Sequence, residues 1–218
     1  MQNENQILKI LRPVVKVLAI VSILAGLAAI AVLVLYNFSE VLTIYTDEGT
    51  KYAEGFSYPG FQTIFYGYGN MIIQGYTENT FNIWTFLGCF LPLFACLVAA
   101  IMLGTNFNRR GTNKKKAIVD GIAAVCLIFG GIILFNVDKL WIANAKQVKV
   151  GSYADYYNTY LLPAINGELY FGKDYFPTVV LIVCLIAGVI KAINCGLLLF
   201  QKYYARSVNN MQNVEINE

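Results

Sequence analysis

Two ionisable residues lie inside apolar stretches of this 218-residue chain, and both have chemistry to offer. Lys191 is deep in PTVVLIVCLIAGVIKAINCGLLLF, and Asp120 is near the start of AIVDGIAAVCLIFGGIILFN. A lysine at the centre of a hydrocarbon-spanning helix costs about 2.5 to 3.5 kcal/mol, so Lys191 demands a partner or a water-filled cavity. It stands roughly 13 Å from one end of its run and roughly 21 Å from the other. Snorkelling to the nearer end is opposed by the lean of helical side chains towards the helix N-terminus. Lys191 is therefore expected to face inward and pair with Asp120, or with carbonyls freed near Pro92 in the second run. Asn194 and Cys195 share its helical face, which Cys184 and Gly188 continue. For Asp120, the preference of acids for the first helical turn favours a solvated position, about 5 Å into its run.

A third candidate is TIFYGYGN, Thr63 to Asn70, whose Gly-Tyr-Gly resembles the carbonyl-ring filter of potassium-type pores. The filter needs a threonine where Phe65 stands, and a continuous pore helix where Pro59 and Gly60 interrupt the chain. The alternating rings and glycines fit a hairpin instead, with Thr63 to Tyr68 and Met71 to Tyr76 flanking Gly69-Asn70. Tyr66 and Tyr68 then share one face of a strand.

Enzymology finds little support. The chain has no histidine, which removes the commonest general base and metal ligand. All five cysteines (Cys89, Cys96, Cys126, Cys184 and Cys195) fall in apolar runs without a C-x-x-C pair, as small packing residues do. No nucleophile and base stand together, so no catalytic role, cofactor or metal is expected.

The elements that must position these residues are four apolar runs. With 57% hydrophobic and only 13% charged residues, the chain is too apolar for a soluble domain. Runs long enough to cross about 30 Å of hydrocarbon occupy about 14–36, 82–104, 117–136 and 177–200. The apolar character of the first continues past Ala29-Ile30-Ala31, which suits an uncleaved anchor better than a signal peptide. Pro92 is expected to kink the second. Lys9, Arg12 and Lys16, the loop 105–116 with Arg109, Arg110 and Lys114 to Lys116, and Lys202 and Arg206 in the tail 201–218 form the basic clusters. By the positive-inside rule both termini and that loop are cytoplasmic. The loops 37–81 and 137–176 are then outside, and the first carries Glu40, Asp47, Glu48, Glu54 and Glu78 against the single Lys51. The expected fold is an all-α integral membrane protein, a four-helix transmembrane bundle of one membrane domain. Its two long outer loops are expected to build a small extracellular domain that includes a short β-sheet.

Close approach of helices in lipid relies on small residues, and Gly188, Ala192 and Gly196, with Ser22 and Gly26, offer contact stripes at four-residue spacing. Of the fifteen tyrosines, thirteen fall from Tyr36 to Tyr175, in the outer loops and their membrane edges. Tyr36, Trp84, Trp141 and Tyr175 are placed for the headgroup boundary. Tyr58, Tyr66, Tyr68, Tyr76, Tyr153, Tyr156, Tyr157 and Tyr160 are candidates for a binding face, because tyrosine supplies contact area at low entropy cost. Val41 to Thr46 reads as a strand, and SYADYYNTYLLPAI as a short helix or partly helical segment ended before Pro163.

These features predict a membrane interaction or scaffold protein whose aromatic outer face binds another protein, a glycan or a second copy, with no nucleic-acid partner. A channel or transporter subunit with a polar site around Lys191 is the other reading. Loops without cysteine, a sequon at Asn37-Phe38-Ser39 pressed against the membrane, and abundant Asn, Ile, Lys and Tyr point to a bacterial cytoplasmic membrane.

Overall fold

The computed structural model describes residues 2–46, 57–65, 82–105, 114–145 and 169–215. Helices dominate: α1 (Gln2–Tyr36), the short α2 (Gly60–Phe65), α3 (Ile83–Thr105), α4 (Lys114–Phe135), α5 (Val137–Ala145) and α6 (Tyr175–Glu215). Strands β1 (Glu40–Thr46), β2 (Ser57–Pro59) and β3 (Leu169–Lys173) form a sheet in the order β2-β1-β3, antiparallel throughout. Four helices, α1, α3, α4 and α6, are long and apolar enough to cross a membrane, which makes this a multi-pass membrane protein.

Burial along these helices is the reverse of that in a soluble bundle. The buried stripe of α1 is Val15, Ala19, Ser22, Gly26, Ala29, Leu33 and Tyr36, and that of α6 is Val180, Cys184, Ala187, Lys191, Asn194 and Leu198. Large apolar side chains such as Leu24, Phe94, Ile101, Phe129 and Ile186 are exposed. Lipid solvates those side chains as well as protein does, so the inward face is left to small and polar residues. Both stripes step by four and three residues alternately, an average of 3.5, which holds one face of a helix towards its neighbours.

That alternation corrects one expectation. Ala192 and Gly196 are exposed, and a Cβ added at Gly196 would meet no described atom within 4 Å. Of the proposed α6 stripe only Gly188 is buried, where a Cβ would meet Ile128 Cγ1 at 2.7 Å and the Ala124 carbonyl oxygen at 3.2 Å. Steps of four residues turn 400°, so a stripe built only of them drifts off the contact face within two steps.

The described residues fall into two compact units. The first comprises 1–30, 92–128 and 185–218, and the second 31–91 and 129–184. In the first, Val15, Leu103, Ala117 and Leu198 form an apolar cluster supported by Leu11, Ile23 and Leu199. Helix α3 runs through Pro92 without interruption.

In the second unit, Asn82 caps α3, accepting the Thr85 N–H on Oδ1 at 3.1 Å. Asn37 ends α1 by donating Nδ2–H to the Leu33 carbonyl at 3.0 Å and to Cys89 Sγ at 3.4 Å, so the sequon amide is engaged. Asn136 closes α4, and α5 follows directly where an outer loop was expected. The strand read at Val41 to Thr46 is present as β1, paired to β3 from Leu42↔Lys173 to Thr46↔Leu169. Thr43 Oγ1–H donates to Asp174 Oδ2 at 2.7 Å, and Lys173 Nζ lies 3.2 Å from the Phe135 ring centroid. The hairpin strand expected from Thr63 is not formed: Thr63 to Phe65 belong to α2, with Thr63 Oγ1–H donating back to the Gly60 carbonyl at 2.8 Å. The rest of that hairpin and the SYADYYNTYLLPAI helix lie outside the described residues.

Candidate functional site

The first unit holds a polar node in the middle of its helices. Its members are Ser22 on α1, Asp120 on α4, and Lys191 and Asn194 on α6, each 0% exposed. The alternating four-and-three spacing of buried positions carries Ser22 and Lys191 inward on their helices. Gly26 clears the space that the lysine fills, since a Cβ there would meet Lys191 Cε at 3.1 Å and Nζ at 3.2 Å. Gly121 does the same beside Asp120, where a Cβ would stand 3.1 Å from Cys195 Sγ. Small residues thus admit a long cation into a tightly packed interior.

Every proton of the ammonium is used. Lys191 Nζ donates to Asp120 Oδ1 at 2.9 Å, to the Ser22 carbonyl at 3.2 Å and to Ser22 Oγ at 3.4 Å. The carboxylate is matched as well: Asn194 Nδ2–H donates to Asp120 Oδ2 at 2.9 Å, and the Ser22 hydroxyl is shared between Oδ2 at 3.1 Å and Oδ1 at 3.3 Å. A buried ion pair holds only where the remaining hydrogen-bonding capacity is met, and here three helices meet it. One atom is left over, because the buried Asn194 Oδ1 has no partner.

Of the residues singled out as intramembrane and polar, the structure brings together Lys191, Asp120 and Asn194. Two details differ from expectation. Asp120 is not a solvated acid of the first turn: it is the seventh residue of α4 and wholly buried, because the nearby cation and amide outweigh the pull of interfacial water. Ser22 was read as a packing residue alone, whereas it supplies two of the three oxygens around the ammonium. The signal for that role was its place between Ala19 and Gly26 on the inward stripe.

The tyrosine group is placed only in part. Tyr58 lies in β2, in register with Leu42 of β1. Tyr66, Tyr68, Tyr76, Tyr153, Tyr156, Tyr157 and Tyr160 lie outside the described residues. Among the boundary aromatics, Trp84 and Tyr175 are exposed at the starts of α3 and α6. Tyr36 is instead fully buried, with Gly60 directly against its carbonyl and ring. No family model, curated protein or solved structure matches the chain, so the function has to be read from this geometry.

Proposed function

We propose that the chain is a membrane interaction protein, a scaffold whose helices carry two tyrosine-rich connecting segments that bind a partner protein, a glycan or a second copy. The observation that supports this reading is the pairing of β1 with β3. Strand β1 follows the first spanning helix and β3 precedes the last, so one sheet ties together both long connections. Thr46 pairs with Leu169, which means that the segment 47–56 begins and the segment 146–168 ends at the same end of one strand pair. Tyr52 belongs to the first of these, and Tyr153, Tyr156, Tyr157 and Tyr160 to the second. Tethered ends raise the local concentration of aromatic side chains at one place, as a binding face requires.

In this reading the basic ends face the cytoplasm, the sheet faces outside, and the Lys191–Asp120 pair serves to lock helices. A pair with every proton matched and no exposure has the character of a lock. The test replaces Tyr153, Tyr156, Tyr157 and Tyr160 with alanine and follows assembly state and cross-linked partners in native membranes. Loss of the partner or oligomer at unchanged melting temperature is expected. Retained assembly in that variant, together with loss of function in Lys191→Leu, overturns the proposal. The second reading, a channel or transporter subunit centred on Lys191, Asp120 and Asn194, draws on the unpartnered Asn194 Oδ1 inside the node.

A further inference from the structure

Lys191 Nζ is a buried cation enclosed by oxygens. Around it stand Asp120 Oδ1 at 2.9 Å, the Ser22 carbonyl oxygen at 3.2 Å and Ser22 Oγ at 3.4 Å. Asp120 Oδ2, the other carboxylate oxygen, is held by Asn194 Nδ2–H at 2.9 Å. Carboxylate, hydroxyl and backbone carbonyl oxygens are ligand types of hard cations. The set contains one carboxylate, so a monovalent ion neutralises it while a divalent ion would leave a surplus charge in a buried place. Histidine is absent from the chain, and no thiol is bonded to the ammonium, which argues against a soft metal.

We propose that the oxygens of Ser22 and Asp120 form a monovalent-cation site whose resident cation is the chain's own Lys191 ammonium. A small hard cation of the sodium class takes the site when that ammonium is withdrawn. The ammonium is carried into place by its own helix and need not be captured from solution. The space at the node is filled by the lysine, since a Cβ at Gly26 would meet Nζ at 3.2 Å, so an ion enters only when that side chain is removed. The inference stands independently of the tyrosine segments, and it gives the node a binding capacity beyond that of a lock.

The test uses the full chain in detergent, with sodium chloride replaced by choline chloride at constant ionic strength. Wild type is expected to melt at the same temperature in both salts. Lys191→Ala is expected to melt about 4 °C or more higher in sodium at about 150 mM, as an ion that binds only the folded state requires. It is also expected to retain radiosodium saturably, and adding Asp120→Asn should abolish both effects. Lys191→Ala that responds equally to sodium and choline, or that is stabilised by acid with no sodium effect because Asp120 takes a proton, overturns the proposal. So does a wild type that responds to sodium as strongly as the variant. If Lys191→Ala folds in neither salt, Asn194→Asp decides, since it keeps the lysine and sets a second carboxylate beside that of Asp120. Sodium-specific stabilisation is expected there, and indifference to the cation overturns the site.

Discussion

The two compact units bury polar groups differently. In the first, a charged pair is enclosed and matched: Lys191 and Asp120 are bridged at 2.9 Å, with Ser22 and Asn194 completing the shell. In the second, several buried atoms have no described partner: Asn82 Nδ2, Thr85 Oγ1 and one carboxylate oxygen of Asp138. The difference follows the energy scale. An unmatched ion in a low-dielectric interior costs several kcal/mol and prevents folding unless it is answered. An unmatched hydroxyl or amide costs about 1 to 3 kcal/mol, a sum that good packing nearby can offset. Thr85 illustrates the offset, since its side chain is wholly enclosed while its hydroxyl goes unanswered.

The largest expected effect tests the matched side of this contrast. Asp120→Leu strands the Lys191 ammonium and should destabilise the protein by about 3 to 5 kcal/mol, seen as a collapse of the melting temperature in detergent. The double variant Asp120→Leu, Lys191→Met removes both charges and should return to within about 1 kcal/mol of wild type, or exceed it. A single variant as stable as the double would mean that the node is not closed as described.

A middle-sized effect tests the packing that encloses Tyr36. Gly60→Ala places a methyl group against the Tyr36 carbonyl and ring, so the loss should lie near the upper end of overpacking, about 3 kcal/mol. Hydrogen exchange should report that loss in β1 and β2 and leave the amides around Ser22 and Asp120 protected. Loss of protection at both places would erase the distinction between the units.

The smallest effects sharpen the contrast by deleting one hydroxyl from each unit. Ser22→Ala removes a group bonded to both ions and should cost about 1.5 kcal/mol or more. Thr85→Val removes a hydroxyl with no described partner and should change stability by less than about 0.5 kcal/mol, or raise it. Equal losses in the two melting curves would show that the Thr85 hydroxyl is as well satisfied as that of Ser22.

How much of this was legible in the sequence differs from one element to the next. The four spans were, because hydropathy is a sum over neighbouring residues. The boundaries agree within a few residues except where polar sequence continues a helix, as from Phe200 to Glu215 in α6 and from Gln2 to Val14 in α1. Strand β1 was legible from the β-branched and aromatic residues of VLTIYT. Strand β3 was not: LYFGK is short and carries a glycine, and it becomes a strand by pairing with a segment more than a hundred residues away. Thr63 to Phe65 has strand-forming residues yet lies in helix α2, whose first two N–H groups donate to the Ser39 and Asn37 carbonyls beyond α1. Pairing and docking of this kind depend on distant residues, and local preference yields to them.

The sequence by itself determined that this chain enters a membrane through four helices and that a charge inside them must be answered. Those conclusions rest on local quantities, the apolar length of a run and the cost of an ion in hydrocarbon. Only the tertiary structure decided which groups answer it. Asp120 left the solvated position its sequence context favoured, and Ser22 changed from spacer to ligand. Asn194 spent an amide proton on the carboxylate and kept a bare oxygen. Each choice depends on which helical faces meet, and a hydrogen bond needs its two atoms within about 3 Å, a condition set by packing between helices and not by spacing along one.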